Sequence, residues 1–503
     1  MDLTAMDKGK ISLGRRDWIK LGGAAAIASS LPLIGCAPGK VSRSRVRKVI
    51  FMVADGMSAG VPSMAEKFSR LTRNSGTAWQ EMSAHRETTH GFFETSSLSS
   101  GVTDSAAASS AWSSGSKIFN RMINMLPDGR PLEPIGRLVR QKGWKLGLVT
   151  TCTVTHATPA GFVAATDNRD DEQGIAGQYL DSVDVVMGGG RAFFSGDLRD
   201  DGRDLVGEFA GRGYGVLFHK DDLKSAGGKN KLLGLFDYSH LPFTLDQSRS
   251  AALAGRVPSL AQMASVALDA LAASSDNFLL QIEGGRVDHA AHRNDAAGLL
   301  WEQIAFDDAV RVAWDFARKH PDTLLVVTTD HGNGNPGLCG MGYEYITSND
   351  CFARLAGFTG TVDQFYLGLR QDILAGRKAP DAKEFAGRLQ VMTGFAMPEK
   401  TVAELHAAFP FALKEKHGQR RCFLEMFGRY LGDWTGIQWS GLEHTSDWAL
   451  SMAWGAGSEE FKGLLANTDV CGRIAVFAGV QHQNTKMTVE EALQYRKLQP
   501  AVM

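Results

Sequence analysis

The chain has almost no net charge, few cysteines and no long apolar run, and each shortfall removes a class of protein. Across 503 residues, 54 Lys and Arg stand against 55 Asp and Glu, a formal charge of −1. No basic excess of the kind that nucleic-acid backbones demand is therefore present. The six cysteines include no Cys-x-x-Cys pair, which argues against a structural zinc ribbon. The apolar stretch from Leu21 to Gly35 is short and broken by Gly and Pro, and does not read as a membrane-spanning helix. Internal repeats, coiled-coil heptads and low-complexity tracts are also missing. What remains is a chain long enough to bury a large core, with 56 glycines that suit a site built from turns.

The chemistry-bearing residues fall at the ends of β-rich apolar runs. The run 278–282 leads into Glu283-Gly-Gly-Arg-Val-Asp288-His289-Ala-Ala-His292, two carboxylates and two imidazoles in one short span. With a helix starting near Asp288, Asp288 and His292 share a helix face and reach one metal ion, while Glu283 at the strand end faces a neighbouring ion. The run 323–329 ends in Asp330-His331-Gly332, and 46–54 ends in Asp55-Gly56. Ligand sites in open α/β sheets gather at such carboxyl ends. Taken singly, each acid or histidine at a helix start is equally a cap or a dipole partner.

Thr103-Asp104-Ser105 followed by three alanines reads as a helix N-terminus, where free N–H groups and the helix dipole favour a phosphate. Ser105 there is a candidate nucleophile. Capping is the competing role for these residues, and a metal able to ionise a serine hydroxyl without a histidine base would favour catalysis.

Together these stretches resemble the alkaline phosphatase family of metal-dependent serine phosphomonoesterases. The blocks run in order from about Val46 to about Gly479: VADGMS at 53–58, TDSAAA at 103–108, THATPAG at 155–161, Arg169, MGGGR at 187–191, EGGRVDHAAH at 283–292, TTDHG at 328–332 and LEHT at 442–445. The resemblance implies that Asp288, His292 and His444 hold one Zn2+, and that Asp55, Asp330 and His331 hold a second. It also implies that Asp55, Thr158 and Glu283 hold one Mg2+. Ser105 resembles the nucleophile that becomes a phosphoserine, and Arg169 the planar fork that grips phosphate oxygens. His156 and His289 flank the third ion, which the sequence leaves open to magnesium or zinc.

The substrates so implied are phosphate monoesters, and the family resemblance suggests a homodimer. A phosphodiesterase of the same superfamily, or a non-catalytic lipoprotein that captures phosphate, are the alternatives. A sulfatase is disfavoured, because Ser105 is followed by alanines.

The expected fold is α/β, a mostly parallel central sheet flanked by helices, with strands at 46–54, 145–150, 183–187, 278–283, 323–329 and 449–454 and a long helix at 297–319. Residues 46–335 and 441–503 form the expected catalytic domain, 336–440 an accessory insertion, and 488–498 a short tail helix. Residues 1–36, with Arg15-Arg16 and Leu33-Ile-Gly-Cys36, resemble a twin-arginine signal and a lipoprotein cleavage box. Cys36 would then be lipidated, with 37–45 a tether and the enzyme in the periplasm or cell envelope. Cys152 is expected to be a buried thiol, and nearness in sequence suggests a Cys339–Cys351 disulfide.

Overall fold

A computed structural model describes residues 46–409 and 419–495, so Arg15, Arg16 and Cys36 lie outside the described residues. Ten strands form one sheet: β1 (Lys48–Ala54), β2 (Thr89–Glu94), β3 (Lys145–Thr153), β4 (Val185–Gly189), β5 (Gly215–Leu217), β6 (Leu232–Leu235), β7 (Phe278–Gly284), β8 (Thr323–Thr328), β9 (Ala449–Gly455) and β10 (Gly463–Ala466). Their spatial order is β10-β2-β9-β8-β1-β7-β3-β4-β6-β5. Only β9 runs against its neighbours, β8 and β2, so the sheet is mostly parallel, as expected.

The central strands are apolar along their whole length because both faces are covered. On β1, Ile50 and Met52 pack into one core while Val49, Phe51 and Val53 pack into the other. Five helices matter for the site and its supports: α1 (Ser105–Ser114), α2 (Ala157–Ala160), α3 (Leu260–Ser274), α4 (Arg286–Ala291) and α5 (Ala296–Lys319). Helix α1 is buried along its entire length although it is rich in serine. Its hydroxyls are satisfied locally: Ser110 Oγ donates to Ala106 O at 2.7 Å, Ser114 Oγ to Ser110 O at 2.7 Å, and Ser109 Oγ to Ala157 O of α2 at 2.9 Å.

Several boundaries differ from the sequence expectation. The strand expected at 183–187 is β4, which runs on through Gly188 and Gly189. Those glycines continue the strand because a Cβ on Gly189 would lie 2.0 Å from Ser239 O, so the close approach of the 237–240 loop requires glycine there. β2, β5, β6 and β10 were not expected, being short or weakly patterned. The tail helix is Val489–Leu493, its start fixed by a Thr488–Glu491 capping box. The suggested Cys339–Cys351 disulfide is absent, and both are free thiols: proximity in sequence leaves Cys339 exposed and Cys351 buried. Cys152 is a buried free thiol, as expected.

The described residues between 336 and 440 are largely helical: α6 (Val362–Leu374), α7 (Ala382–Thr393), α8 (Glu399–Ala408) and α9 (Gln419–Thr435). A two-residue ribbon draws the ends of this region together, pairing Gly337 with Gln438 and Leu338 with Ile437. Two buried carboxylates bind the N-terminus of α6. Asp246 accepts from Thr361 N and Oγ1 at 2.8 and 2.7 Å, and Asp295 accepts from Val362 N at 2.7 Å.

Burial pushes Asp295 up to about 7, against the pull of its backbone donors. A carboxyl raised in the folded state destabilises the fold when it ionises. This penalty is absent below the unfolded value of about 3.9, grows as pH rises, and is complete above about pH 7, at up to about 4 kcal/mol. Comparing denaturant unfolding of wild type and Asp295→Asn from pH 5 to 8 should show a smaller fall in stability with pH in the variant. Parallel profiles would mean that Asp295 ionises normally.

Candidate active site and metal centre

Strand ends bring the acidic residues together. At the end of β1, Gly56 adopts φ +68°, and a Cβ there would stand 2.5 Å from Asp288 Oδ1, so glycine lets the first strand's turn touch the 283–292 segment. Asp330, just past β8, accepts from Gly56 N and from its neighbour His331 N, each at 3.0 Å. Asp288 lies on α4, and His292 follows one turn later at the helix end. His444, more than a hundred residues further on, arrives by a short antiparallel ribbon that sets it opposite Asn333.

Three groups result. In the first, Asp288 Oδ2 lies 3.3 Å from His292 Nε2, and Asp288 Oδ1 3.6 Å from His444 Nε2. In the second, His331 Nε2 lies 3.1 Å from Asp330 Oδ2 and 3.8 Å from Asp55 Oδ1. In the third, His156 Nδ1 lies 3.4 Å from Glu283 Oε1 and 3.9 Å from Asp55 Oδ2, and Thr158 Oγ1 donates to that Asp55 oxygen at 3.4 Å. The structure thus gathers every candidate ligand predicted from sequence. His289 stands beside the third group, its ring centroid 5.8 Å from that of His156.

These groups fit metal ions by an observation of their own. Asp55 Oδ1, Glu283 Oε1 and Asp330 Oδ2 are buried without a hydrogen-bond partner, an arrangement that is costly unless a cation completes it. His292 Nε2 and His444 Nε2 stand 3.1 Å apart. Their Nδ1 atoms donate to the carbonyls of Leu442 and Thr103 at 2.6 and 2.9 Å, so both Nε2 atoms present lone pairs to each other. A shared cation resolves that repulsion, and carbonyl-pinned imidazoles beside carboxylates are a zinc donor set.

Charge balance points the same way. Burial, reinforced by Asp330, Asp288 and Glu283, pushes the Asp55 carboxyl well above its ordinary range. For Asp288, burial is outweighed by His292, His444 and His331, which hold it low. Burial, with His331 alongside, lowers His444 to about 4. So many acids in one buried cluster ionise together only against positive charge.

Ser105 is the first residue of α1, and Asp104 caps that helix by accepting from Ala107 N at 2.9 Å. The serine hydroxyl lies 3.2 Å from His331 Nε2. A histidine therefore adjoins Ser105, although the sequence around 105 offers none. Arg169 Nη1 donates to Asp104 Oδ2 at 3.1 Å and Nη2 to His156 Nε2 at 3.1 Å, which brings its guanidinium to the residue preceding Ser105. Burial works against the charge on Arg169, and Asp104 and the nearby carboxylates overcome it, raising its pKa.

Three contributors escaped the sequence reading. In sequence Asp104 reads only as a cap, yet it also holds Arg169. His240 packs edge-on to His289 with ring centroids 4.6 Å apart, and Arg286 donates to His289 Nδ1 at 2.7 Å. A lone His in Asp237-Tyr-Ser-His240 carries no signal in sequence, and nothing in the sequence sets Arg286 apart within its block of acids and histidines.

An α/β sheet whose carboxyl ends gather three metal-type ligand groups around a serine at a helix N-terminus defines a metal-dependent hydrolase. The alkaline phosphatase family profile matches residues 46–364. Alkaline phosphatase 4 of Bacillus subtilis is 30% identical over 450 residues, covering 86% of this chain and 88% of that protein. Alkaline phosphatase 3 of the same organism is 29% identical, covering 91% and 96%. The crystal structure of Thermus thermophilus alkaline phosphatase superposes with a TM-score of 0.81 at 32% identity, covering 93% of this chain and 99% of that one. The chain belongs to the alkaline phosphatase family, and is an enzyme of the phosphoric monoester hydrolase class.

Proposed function

We propose that the protein hydrolyses phosphate monoesters through a covalent phosphoserine at Ser105. The observation that carries this reading is the placement of the Ser105 hydroxyl, at the N-terminus of a buried helix and 3.2 Å from His331 within the ligand cluster. Asp288, His292 and His444 would hold one zinc ion, Asp55, Asp330 and His331 a second, and Asp55, Thr158 and Glu283 a magnesium ion. Such ions supply positive charge to a phosphoryl group, ease ionisation of a hydroxyl or water, and neutralise a departing alkoxide.

The chain's own groups do the positioning. Backbone N–H groups at the start of α1 favour a phosphoryl oxygen beside Ser105. The serine oxygen forms a bond to phosphorus as the ester oxygen leaves, and water then takes the serine's place to release phosphate. Asp104 ties the two operations together, capping α1 while orienting Arg169, whose remaining N–H groups are free to grip two non-bridging oxygens. Turnover of nitrophenyl phosphate, set against bis-nitrophenyl phosphate, tests the reading: a monoester rate far above the diester rate supports it. No turnover of either would favour the non-catalytic phosphate binder.

Replacing Arg169 with Ala should weaken inorganic phosphate inhibition by about 1.5–3 kcal/mol, roughly 10- to 150-fold. Lysine should restore only part, since it lacks the planar fork. An unchanged phosphate inhibition constant would move the clamp elsewhere.

Residues 1–36 would direct export by the twin-arginine route and lipid anchoring at Cys36, supported by the Arg15-Arg16 and Cys36 motifs. Among the described residues no helix is long and apolar enough to cross a membrane. Changing Arg15 and Arg16 to Lys should leave unprocessed protein in the cytoplasm, whereas Cys36→Ala should be exported but released from the membrane fraction. Cys36→Ala protein that still sediments with membranes would count against lipid anchoring. Gel-filtration mass tests the suggested homodimer.

A further inference from the structure

Residues 120 and 121 wrap around the residue that precedes Ser105. Asn120 Oδ1 accepts from Asp104 N at 3.2 Å, and Arg121 N donates to Asp104 Oδ2 at 2.8 Å. That same carboxylate oxygen accepts from Arg169 Nη1 at 3.1 Å. Arg121 O in turn accepts from Arg169 N at 2.8 Å. Arg121 is thus pinned by its own N–H and C=O between the cap of the helix that carries Ser105 and the backbone of the arginine that faces it.

The pinning has a cost. Arg121 sits at φ +71°, in the left-handed region that glycine enters freely and residues with a Cβ enter against steric resistance. Glycine would make both backbone bonds with less strain, so the reason for an arginine lies in its side chain. That side chain begins within about 4.5 Å of the Asp104 oxygen, one N–Cα bond beyond the 2.8 Å contact. Its Nη2 donates to Asp170, the residue after Arg169, and the two side chains are 62% and 63% exposed. An ion pair so open to water contributes little, and a competing anion displaces it at little cost. Arg169 is different, since its side chain is largely buried and Asp104 sustains its charge. Two arginines of unlike setting are therefore anchored on one carboxylate: a buried one that suits the reacting phosphoryl group, and a solvated one that carries an exchangeable partner.

We propose that Arg121 is a specificity-determining residue that favours phosphomonoesters whose leaving group bears a second anionic group, a carboxylate or a phosphate, with Asp170 as the internal anion that such a substrate displaces. This rests on reading Ser105 and Arg169 as nucleophile and clamp. In-line attack places the ester oxygen opposite Ser105, which is buried, so the leaving group projects away from the core. A second anion on it exchanges for Asp170 on the planar fork of Arg121. A neutral leaving group leaves the Arg121–Asp170 pair intact and gains nothing from it. Discrimination between the two kinds of ester then comes from contacts to the leaving group, apart from those to the reacting phosphoryl group.

Two pairs of esters that differ in the charge of the leaving group test this on metal-loaded, full-length protein: glycerol 3-phosphate against glycerate 3-phosphate, and fructose 6-phosphate against fructose 1,6-bisphosphate. The readout is kcat/KM of the anionic member relative to its partner. In Arg121→Gly, which also relieves the backbone strain, and in Arg121→Gln, that ratio should fall about five- to tenfold for at least one pair, chiefly through KM. Arg121→Lys should retain part of it, having the charge without the fork. Asp170→Asn removes the internal competitor and should raise the ratio about twofold. Added salt should shrink the ratio more in wild type than in Arg121→Gly.

Wild-type ratios for both pairs in Arg121→Gly and Arg121→Gln overturn the proposal. So does a ratio that falls in Asp170→Asn, the sign of an ion pair that only braces the loop. A substitution that merely disturbs Asp104 or Arg169 slows all four esters alike, weakens inorganic phosphate inhibition and leaves the ratio in place, which also counts against a leaving-group contact. Failure of the underlying reading looks different: wild type turns over none of the four esters, and the proposal falls with it.

Discussion

Ser105→Ala is expected to lower kcat by on the order of 10^3-fold or more while leaving the fold and metal content intact. The serine hydroxyl makes no contact that the core depends on. Helix α1 is capped by Asp104, and its other hydroxyls bond to backbone within α1, to the neighbouring α2 or to Asn124. Some turnover should survive, because the phosphate-positioning groups around Arg169 remain and water can attack directly. Trapping radiolabelled phosphate on the wild-type chain at low pH, and failing to trap it on the variant, would identify the covalent step. A variant with wild-type turnover would remove Ser105 from the mechanism.

Stripping metal is expected to abolish activity and to lower Tm by on the order of 10 °C. Without cations, Asp55, Glu283, Asp288 and Asp330 face one another in a buried cluster, and Asp55 takes up a proton to relieve the repulsion. That uptake has a sign. A carboxyl raised in the folded state favours folding at low pH and loses that advantage as pH rises, so at Asp55 stripped protein should fall further behind loaded protein from pH 6 to 8. Depressed Asp288 and Asp330 pull the other way, but their low values place their titration below that window. Scanning calorimetry with and without a chelator at pH 6 and pH 8 checks both size and direction. Equal Tm values would mean that the ligand groups are not occupied in the working protein.

Much of the architecture was legible because buried parallel strands advertise themselves. The runs that became β1, β7 and β8 are apolar on both faces, and each ends in the acid that it delivers to the site. The spacing of Asp288 and His292 likewise announced a shared helix face. Edge strands left no comparable trace: β10 is only Gly463–Ala466, half exposed, and its pairing with β2 is decided by a partner far away in the chain. The glycines at 188–189 read as a strand's end, whereas the close approach of Ser239 makes them its continuation.

Sequence by itself determined the inventory of this protein: which carboxylates, imidazoles and serine are present, which strand ends carry them, and the family to which their order belongs. Tertiary structure alone decided what each nitrogen can do. Whether a histidine offers a lone pair or an N–H depends on the group facing its other nitrogen, and those groups come from distant segments: Leu442 for His292, Thr103 for His444, Thr153 for His240. Proton placement on an imidazole is settled by hydrogen-bond geometry, and that geometry exists only once the chain has folded.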